Sequence, residues 1–173
     1  PTRPSSDLTD CDDTDPNEHP GITWYADSDG DSFGDLASPR DCKKTFASDV
    51  LDSSDCDDAD FDEKPTATWY ADADGDSYGN PGASSACSRL AGSDVSNALD
   101  CDDGDAGENP DVTWFADSDG YGDPLSSNAC ERAATSDVAN DTDCDDTDDG
   151  EYPGVTWYRD ADNDGYGNAA VFV

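Results

Sequence analysis

Hydrophobic positions along this chain are few, and many of them fall in four short segments that each contain an aromatic pair. These segments read ITWYAD, ATWYAD, VTWFAD and VTWYRD, with tryptophans at Trp24, Trp69, Trp114 and Trp157. Apolar and polar residues alternate within each segment, which predicts β-strands of four to five residues. No long amphipathic helix pattern is present, so we expect little helix and short strands joined by long loops.

The aromatic segments recur at nearly constant steps, and a second phrase, DCDDxD, keeps the same steps. The tryptophans lie 45, 45 and 43 residues apart, as do the phrases that begin at Asp10, Asp55, Asp100 and Asp143. The last step is shorter because the third acidic loop, DSDGYGD, lacks two residues of DSDGDSFGD. This self-similarity predicts a tandem-repeat array. We expect a first repeat truncated at its start and a fourth truncated at its end, with bounds 1–45, 46–90, 91–133 and 134–173.

The composition limits the classes of partner. The chain of 173 residues has 44 acidic residues, 8 Lys+Arg and a formal net charge of −36. This charge excludes nucleic acid as a partner, and no apolar run approaches the ~20 residues of a membrane span. Hydrophobic residues make up only 33%, which alone would favour disorder. However, 4 Trp, 7 Tyr and 5 Phe are too many for a disordered acidic tail. We therefore expect bound cations to stabilise the fold.

Seven cysteines in a small polar chain indicate disulfides and an oxidising compartment. Zinc is a weak alternative, because the chain has no CxxC pair and only one histidine, His19. Two pairing schemes fit the spacing. One joins cysteines 11–42, 56–87 and 101–130, with separations of 31, 31 and 29 residues. The other has a constant separation of 14 residues that survives the deletion in the third loop, so we expect Cys42–Cys56, Cys87–Cys101 and Cys130–Cys144. Cys11 is then expected to bond to a cysteine outside this sequence, in a preceding repeat or a neighbouring protomer.

The acidic loop after each aromatic pair has the ligand order of a calcium-binding loop. Carboxylates at positions 1, 3 and 5 converge, a backbone carbonyl follows at position 7, and Asp or Asn stands at position 9. Three carboxylates so close would repel one another without a cation, so the spacing predicts a hard divalent ion. The predicted ligands are Asp27, Asp29, Asp31, the carbonyl of Phe33 and Asp35; Asp72, Asp74, Asp76, the carbonyl of Tyr78 and Asn80; and Asp160, Asp162, Asp164, the carbonyl of Tyr166 and Asn168.

The third loop departs from this pattern. Asp117 and Asp119 remain, but Tyr121 stands where the third acid is expected, which leaves Asp123 as a partial replacement. In the other loops position 4 is Gly30, Gly75 or Asn163, residue types that tolerate left-handed backbone geometry.

The acidic loops lack the closing glutamate and flanking helices of an EF-hand, so the remaining carboxylates must come from elsewhere. The DCDDxD phrase is the obvious donor, and 27 of the 44 acids lie at repeat positions, unlike the scattered acids of a halophile surface. The donor residues are Asp10, Asp12, Asp13 and Asp15; Asp55, Asp57, Asp58 and Asp60; Asp100, Asp102, Asp103 and Asp105; and Asp143, Asp145, Asp146 and Asp148.

The pattern WYxDxDGDxYG, a cysteine, DCDDxD and a following Pro-Gly resembles the tandem acidic calcium-binding repeats of secreted bacterial proteins. It is similar in style to thrombospondin type 3 calcium repeats, and the likeness covers essentially the whole chain. The resemblance implies calcium-stabilised irregular loops tied by disulfides, at an extracellular or cell-surface location. It also implies use as a stalk, spacer or surface attachment.

We therefore expect a structural calcium-binding protein that forms a rod, stalk or filament. Its expected partners are preceding and following repeats or protomers, arranged head to tail. The alternative is a calcium-dependent adhesin module, in which a row of exposed aromatic rings binds glycans or proteins. We expect no enzymatic activity, because the acids recur in shallow loops rather than as a pair in a cleft. The aromatic pairs are more simply explained as small cores between repeats.

Overall fold

The computed structural model describes residues 10–170, which contain six short β-strands and no helix. The chain divides into two compact units, Pro1–Ala98 and Leu99–Val173. The prediction of short strands with little helix is confirmed. The strands are β1 (Trp24–Tyr25), β2 (Pro39–Arg40), β3 (Thr68–Tyr70), β4 (Ser84–Ala86), β5 (Thr113–Asp117) and β6 (Gly122–Ala129).

The first unit contains two antiparallel hairpins built in the same way. In hairpin 1, formed by β1 and β2, Trp24 pairs with Arg40, and in hairpin 2, formed by β3 and β4, Trp69 pairs with Ser85. The second aromatic residue of each hairpin also bonds to a valine of the Ser-Asp-Val segment that comes after it. Tyr25 forms such a bridge, donating from its amide to the Val50 carbonyl at 2.7 Å and accepting from the Val50 amide at 2.9 Å.

The second unit contains hairpin 3, formed by β5 and β6, which has longer strands than the others. Its register runs from Thr113 opposite Ala129 to Asp117 opposite Gly122. The two-residue deletion explains the length, because a shorter acidic loop lets the strands pair down to its base. The fourth aromatic segment has a single bridge residue, Tyr158, instead of the predicted strand.

Three tryptophans form small separate cores, as the sequence predicts for the aromatic pairs. Trp24, Trp69 and Trp114 are 6%, 6% and 8% exposed, whereas Trp157 is 50% exposed. A cationic side chain covers each buried ring: Lys44 over Trp24, Arg89 over Trp69 and Arg132 over Trp114, at 4.2, 3.7 and 4.0 Å from the ring centroid.

The predicted disulfide pairing is wrong. The structure joins Cys11 to Cys42, Cys56 to Cys87 and Cys101 to Cys130, with Cα–Cα distances of 5.9, 5.7 and 5.9 Å. The bonds Cys42–Cys56, Cys87–Cys101 and Cys130–Cys144 are therefore absent, and Cys11 has its partner within the chain. Cys144 is exposed and unpaired.

The hairpin explains the correct pairing, because its return strand carries each cysteine back to the phrase that precedes the hairpin. In hairpin 1 the amide of Lys44, two residues after Cys42, donates to a carboxylate oxygen of Glu18 at 3.2 Å. The two-residue deletion lies at the tip of hairpin 3, so it shortens the separation to 29 residues while the cysteines stay together. With Cys11 paired internally, the disulfide argument for a bond to a preceding repeat or protomer is lost.

Candidate metal centres

The first acidic loop brings its three predicted carboxylates together. Asp27, Asp29 and Asp31 each offer an oxygen within 4.8 Å of the others. Asp27 holds the loop in shape by accepting from the amides of Gly30 at 2.7 Å and Ser32 at 3.2 Å. Hydrogen bonds within the loop thus hold the three carboxylates close together without a bound ion.

Each of the other carboxylates uses one oxygen for the backbone and leaves the second without a partner. Asp29 accepts from the amide of Asp31 at 3.1 Å, and Asp31 accepts from the amide of Phe33 at 2.8 Å. The second oxygens of Asp29 and Asp31 are buried and have no hydrogen-bond partner. Asp31 as a whole is only 8% exposed. Buried anionic oxygens of this kind are costly unless a cation compensates them.

The DCDDxD phrase after hairpin 1 folds onto this loop. Asp58 accepts from the amide of Ser28 at 2.7 Å and from its hydroxyl at 2.6 Å, while the amide of Asp55 donates to the Gly34 carbonyl at 3.3 Å. Asp55 also buries an oxygen without a partner. Burial, and to a lesser extent the charges of Asp31 and Asp29, raises the pKa of Asp55 above its ordinary value. The phrase therefore adds a fourth and a fifth carboxylate to the loop.

Burial also acts on the loop itself. It raises the pKa of Asp29, and the neighbouring charges of Asp31, Asp27 and Asp58 add to this effect. The site is thus a place where negative charge is concentrated and partly removed from water, which favours a bound cation.

The second and fourth loops repeat the arrangement of the first. Asp72 accepts from the amides of Gly75 and Ser77, and Asp76 accepts from the amide of Tyr78 at 2.8 Å. In the fourth loop Asp160 accepts from Asn163 and Gly165 at 2.8 and 2.9 Å. The carboxylate groups that could hold a metal ion are Asp72, Asp74 and Asp76, and Asp160, Asp162 and Asp164.

The third loop has two of the three acids, and no such group is found there among residues 10–170. Asp117 accepts from the amides of Asp119 and Gly120, and Asp119 accepts from the amide of Tyr121 at 3.0 Å. The ring of Tyr121 stacks on Tyr152, with centroids 5.4 Å apart. An aromatic contact therefore stands where the other loops have their third carboxylate.

The left-handed backbone predicted at position 4 is confirmed, with φ of +86° at Gly30, +83° at Gly75 and +61° at Asn163. Position 6 is also left-handed, and Ser32 and Ser77 adopt it with φ of 80° and 77°. The glycine after each aromatic residue has a different role. A Cβ on Gly34 would lie 2.7 Å from the Asp52 carbonyl oxygen, so glycine allows the next segment to approach.

Position 9 does not join the carboxylate group of the loop. The Asp35 carboxylate accepts from the Ala37 amide and the Ser38 hydroxyl, both at 2.7 Å, and so holds the next turn of the chain. The side chains of Asn80, Asp123 and Asn168 accept from the amide two residues ahead in the same way. The metal-ligand assignments of these four side chains stay predictions, because Asp29 and Asp31 make the same bond within the carboxylate group. The carbonyls of Phe33, Tyr78 and Tyr166 stay predicted ligands.

The DCDDxD phrase also forms turns. Its second and fourth acids accept from the amide two residues ahead and so form turns: Asp12 and Asp15, Asp57 and Asp60, Asp102 and Asp105, and Asp145 and Asp148. Asp12, Asp60 and Asp105 also form ion pairs with Lys43, Arg89 and Arg132. The ligand assignments of these eight acids stay predictions, because a carboxylate that accepts this amide hydrogen bond with one oxygen keeps its second oxygen, as Asp29 and Asp31 do.

The first and third acids of the phrase are the ones that face an acidic loop, as Asp55 and Asp58 do. In the second unit Asp143 is 8% exposed and buries an oxygen without a partner, and the Asp146 carbonyl accepts from the Ser118 hydroxyl at 2.8 Å. The ligand assignments of Asp10, Asp13, Asp100 and Asp103 stay predictions.

Sequence reasoning missed a glutamate and a cation that recur with the phrase. Glu18, Glu63 and Glu108 stand eight residues after its first aspartate, and each accepts from the backbone amide of the residue that covers the tryptophan. That residue is Lys44, Arg89 or Arg132, two positions after a cysteine. The constant positions of the glutamate and of the cation in the sequence could have indicated this contact.

None of the described residues forms a helix of the length and apolarity needed to cross a membrane. No family model, curated protein or solved structure matches the chain. The proposed function therefore rests on the geometry of the acidic loops.

Proposed function

We propose that this chain is an extracellular calcium-binding structural protein, an array whose loops are stiffened by bound ions into a rod, stalk or filament. The observation that carries the proposal is the group formed by Asp27, Asp29 and Asp31, with Asp55 near enough for the charges of Asp31 and Asp29 to raise its pKa. Three of these four acids bury an oxygen that has no partner. A cation bound by the loop carboxylates would compensate the oxygens of Asp29 and Asp31, and we expect Asp55 to complete the site.

Calcium is the ion that suits this donor set best. All the side-chain donors are carboxylates, which favour hard cations over zinc or copper. Three loop carboxylates, Asp55 and a backbone carbonyl at position 7 would provide at least five oxygen ligands. Calcium takes 6–8 oxygens in flexible geometry, whereas magnesium demands a near-ideal octahedron and keeps several waters.

A structural role accounts for the ligands better than a catalytic or adhesive one. The site draws its acids from two segments, since Asp58 lies 30 residues after Ser28. An ion bound there would therefore join consecutive segments of the chain. The adhesin alternative needs a row of exposed rings, but Trp24, Trp69 and Trp114 are buried.

The three disulfides favour an oxidising compartment such as the extracellular space. Each closes a loop of about 30 residues, worth roughly 3–4 kcal/mol in the chain-entropy model. The disulfides hold individual hairpins, and an ion in the first acidic loop would hold hairpin 1 to the DCDDxD phrase that follows it.

The test is thermal unfolding of the oxidised chain with excess calcium, with excess magnesium and with chelator. We expect calcium to raise the melting temperature far more than magnesium, because binding to the folded state adds to its stability. Equal melting temperatures in calcium and chelator would refute calcium binding. Equal stabilisation by both ions would indicate nonspecific screening of the net charge.

A further inference from the structure

The fourth aromatic segment presents a face that its counterparts keep covered. We define the open face as Cys144, Glu151, Val155 and Trp157. All four residues belong to the second unit, which also contains hairpin 3 for comparison. None of them lies in the three carboxylate groups of the acidic loops, so a ligand on the open face would not require a bound metal ion.

Hairpin 3 shows how the equivalent face is covered. The segment that covers it begins at Cys130, which is disulfide-bonded to Cys101 and donates from its amide to the Val112 carbonyl at 3.0 Å. The Cys130 carbonyl accepts from the indole of Trp114 at 3.2 Å. Two residues later, Arg132 lies over the indole ring, 4.0 Å from its centroid.

The covering cation also contacts the acidic turn, which runs from Asp105 to Glu108. The backbone amide of Arg132 donates to Glu108 at 3.4 Å, and its guanidinium lies 3.6 Å from Glu108 and 3.5 Å from Asp105. Hairpin 2 uses the same contacts, with the Cys87 amide on the Ala67 carbonyl and the Trp69 indole on the Cys87 carbonyl. Cysteine, one residue and then a cation is thus the common covering motif.

The open face is already arranged like its covered counterpart. A Cβ on Gly150 would lie 3.8 Å from Cζ2 of Trp157, and a Cβ on Gly107 would lie 3.9 Å from Cζ2 of Trp114. The Glu151 amide bonds to the Asp148 carbonyl at 2.9 Å, as the Glu108 amide bonds to Asp105. The tryptophan and the acidic turn therefore sit against each other in the same way.

The two faces differ in their cover. The Arg132 guanidinium lies 3.6 Å from the Cβ position of Gly107. Around the Cβ position of Gly150, the only atoms of residues 10–170 within 4 Å, apart from its chain neighbours, belong to Asp148 and Trp157. Trp157 is 50% exposed, against 8% for Trp114, and Cys144 is unpaired. Within residues 10–170 no cation lies over Trp157.

We propose that the open face binds an extended polypeptide segment that contains cysteine, any residue, and then arginine or lysine. Its cysteine arrives as a mixed disulfide with a small thiol: the Cys144 thiolate attacks the cysteine sulfur, the disulfide between Cys144 and the segment forms, and the small thiolate leaves. The amide of that cysteine donates to the Val155 carbonyl, and its own carbonyl accepts from the Trp157 indole. The cation two residues later covers Trp157 and pairs with Glu151. The residues before the cysteine extend along Thr156 and Trp157 as β6 does along β5.

The probe is the synthetic peptide SSACSRLA, the sequence of residues 84–91, with its cysteine activated as the mixed disulfide with thionitrobenzoate. The Cys144 thiolate attacks the peptide sulfur, the protein–peptide disulfide forms and thionitrobenzoate leaves, so the exchange needs no external oxidant. Release of the coloured thionitrobenzoate gives the rate. The matched control is SSACRSLA, which has the same composition and charge but places the arginine next to the cysteine.

We expect the native-order peptide to react with the full chain roughly tenfold faster than the control, with a change in Trp157 fluorescence. In the Trp157→Ala variant both peptides should react at the slower rate. Equal rates for the two peptides on the unaltered chain would overturn the proposal. So would preferential formation of a Cys144–Cys144 dimer in the presence of peptide, which would make a second copy the occupant.

Discussion

Asp58 accepts two hydrogen bonds from Ser28, one from its amide at 2.7 Å and one from its hydroxyl at 2.6 Å. Ser28 lies inside the first acidic loop, and Asp58 lies in the phrase that opens the next hairpin. The contact ties two consecutive segments together at the point where carboxylates converge. A metal ion bound there would act on the junction between segments rather than on one loop alone.

The first prediction separates the loop ligands from the turn residues. Asp31→Asn should lower calcium affinity roughly tenfold or more at one site, because it removes a charged ligand. Asp35→Asn is the control, since an asparagine oxygen can still accept from the Ala37 amide and hold the turn. Calorimetric titration of both variants with calcium measures the difference. Similar losses in the two variants would show that Asp35 is also a ligand.

The second prediction concerns the two roles of the DCDDxD phrase. Asp55→Asn should weaken calcium binding, because Asp55 has a buried oxygen without a partner and lies near the loop carboxylates of Asp31 and Asp29. Asp57→Asn should leave affinity nearly unchanged, because asparagine preserves the hydrogen bond from Ala59. The same titration decides the matter, and an unaffected Asp55→Asn variant would show that the loop binds its ion unaided.

The convergence of three carboxylates in the first, second and fourth loops could be predicted from sequence, since three alternate acids and a left-handed residue are local features. The disulfide pairing could not. The 14-residue separation is constant because Cys130 and Cys144 both follow the loop that carries the deletion, not because they bond to each other. Which cysteine returns to which phrase depends on the hairpin, and two or three residues per strand give too weak a pattern to predict its register.

The third prediction tests the close packing of Asp52 and Tyr25 against Gly34. Gly34→Ala should destabilise the first unit by about 1–3 kcal/mol. Its Cβ would lie 2.7 Å from the Asp52 carbonyl oxygen and 2.7 Å from the Tyr25 Cβ. Gly92→Ala is the control, because a Cβ there meets nothing within 4 Å. Urea unfolding measures both, and a Gly34→Ala variant as stable as Gly92→Ala would contradict the packing described.

The fourth prediction concerns the cation over a buried tryptophan. Arg89→Ala should cost about 1–2 kcal/mol of unfolding free energy. It uncovers Trp69 and leaves Asp60 and Glu63 without their cation. Lys64→Ala, which removes a cation from the exposed ring of Phe61, should cost less than about 0.5 kcal/mol. Tryptophan fluorescence during urea unfolding reports both values. Equal costs would mean that the cover contributes little.

The composition of the chain also did not predict where its few cations would lie. Three of the 8 Lys+Arg, at Lys44, Arg89 and Arg132, lie over tryptophans. The glutamates that hold them are separated from them in sequence by 26, 26 and 24 residues. The pairing of each glutamate with its cation depends on the folded hairpin and could not be predicted, although both residue types recur at fixed places in the sequence.

The most direct test of the central claim is a crystal structure of the oxidised chain grown with calcium, with anomalous scattering used to locate the ions. We predict a calcium ion about 2.3–2.6 Å from oxygens of Asp27, Asp29, Asp31 and Asp55. An empty loop at saturating calcium, or ions bound only at the turn acids Asp57 and Asp60, would contradict the account.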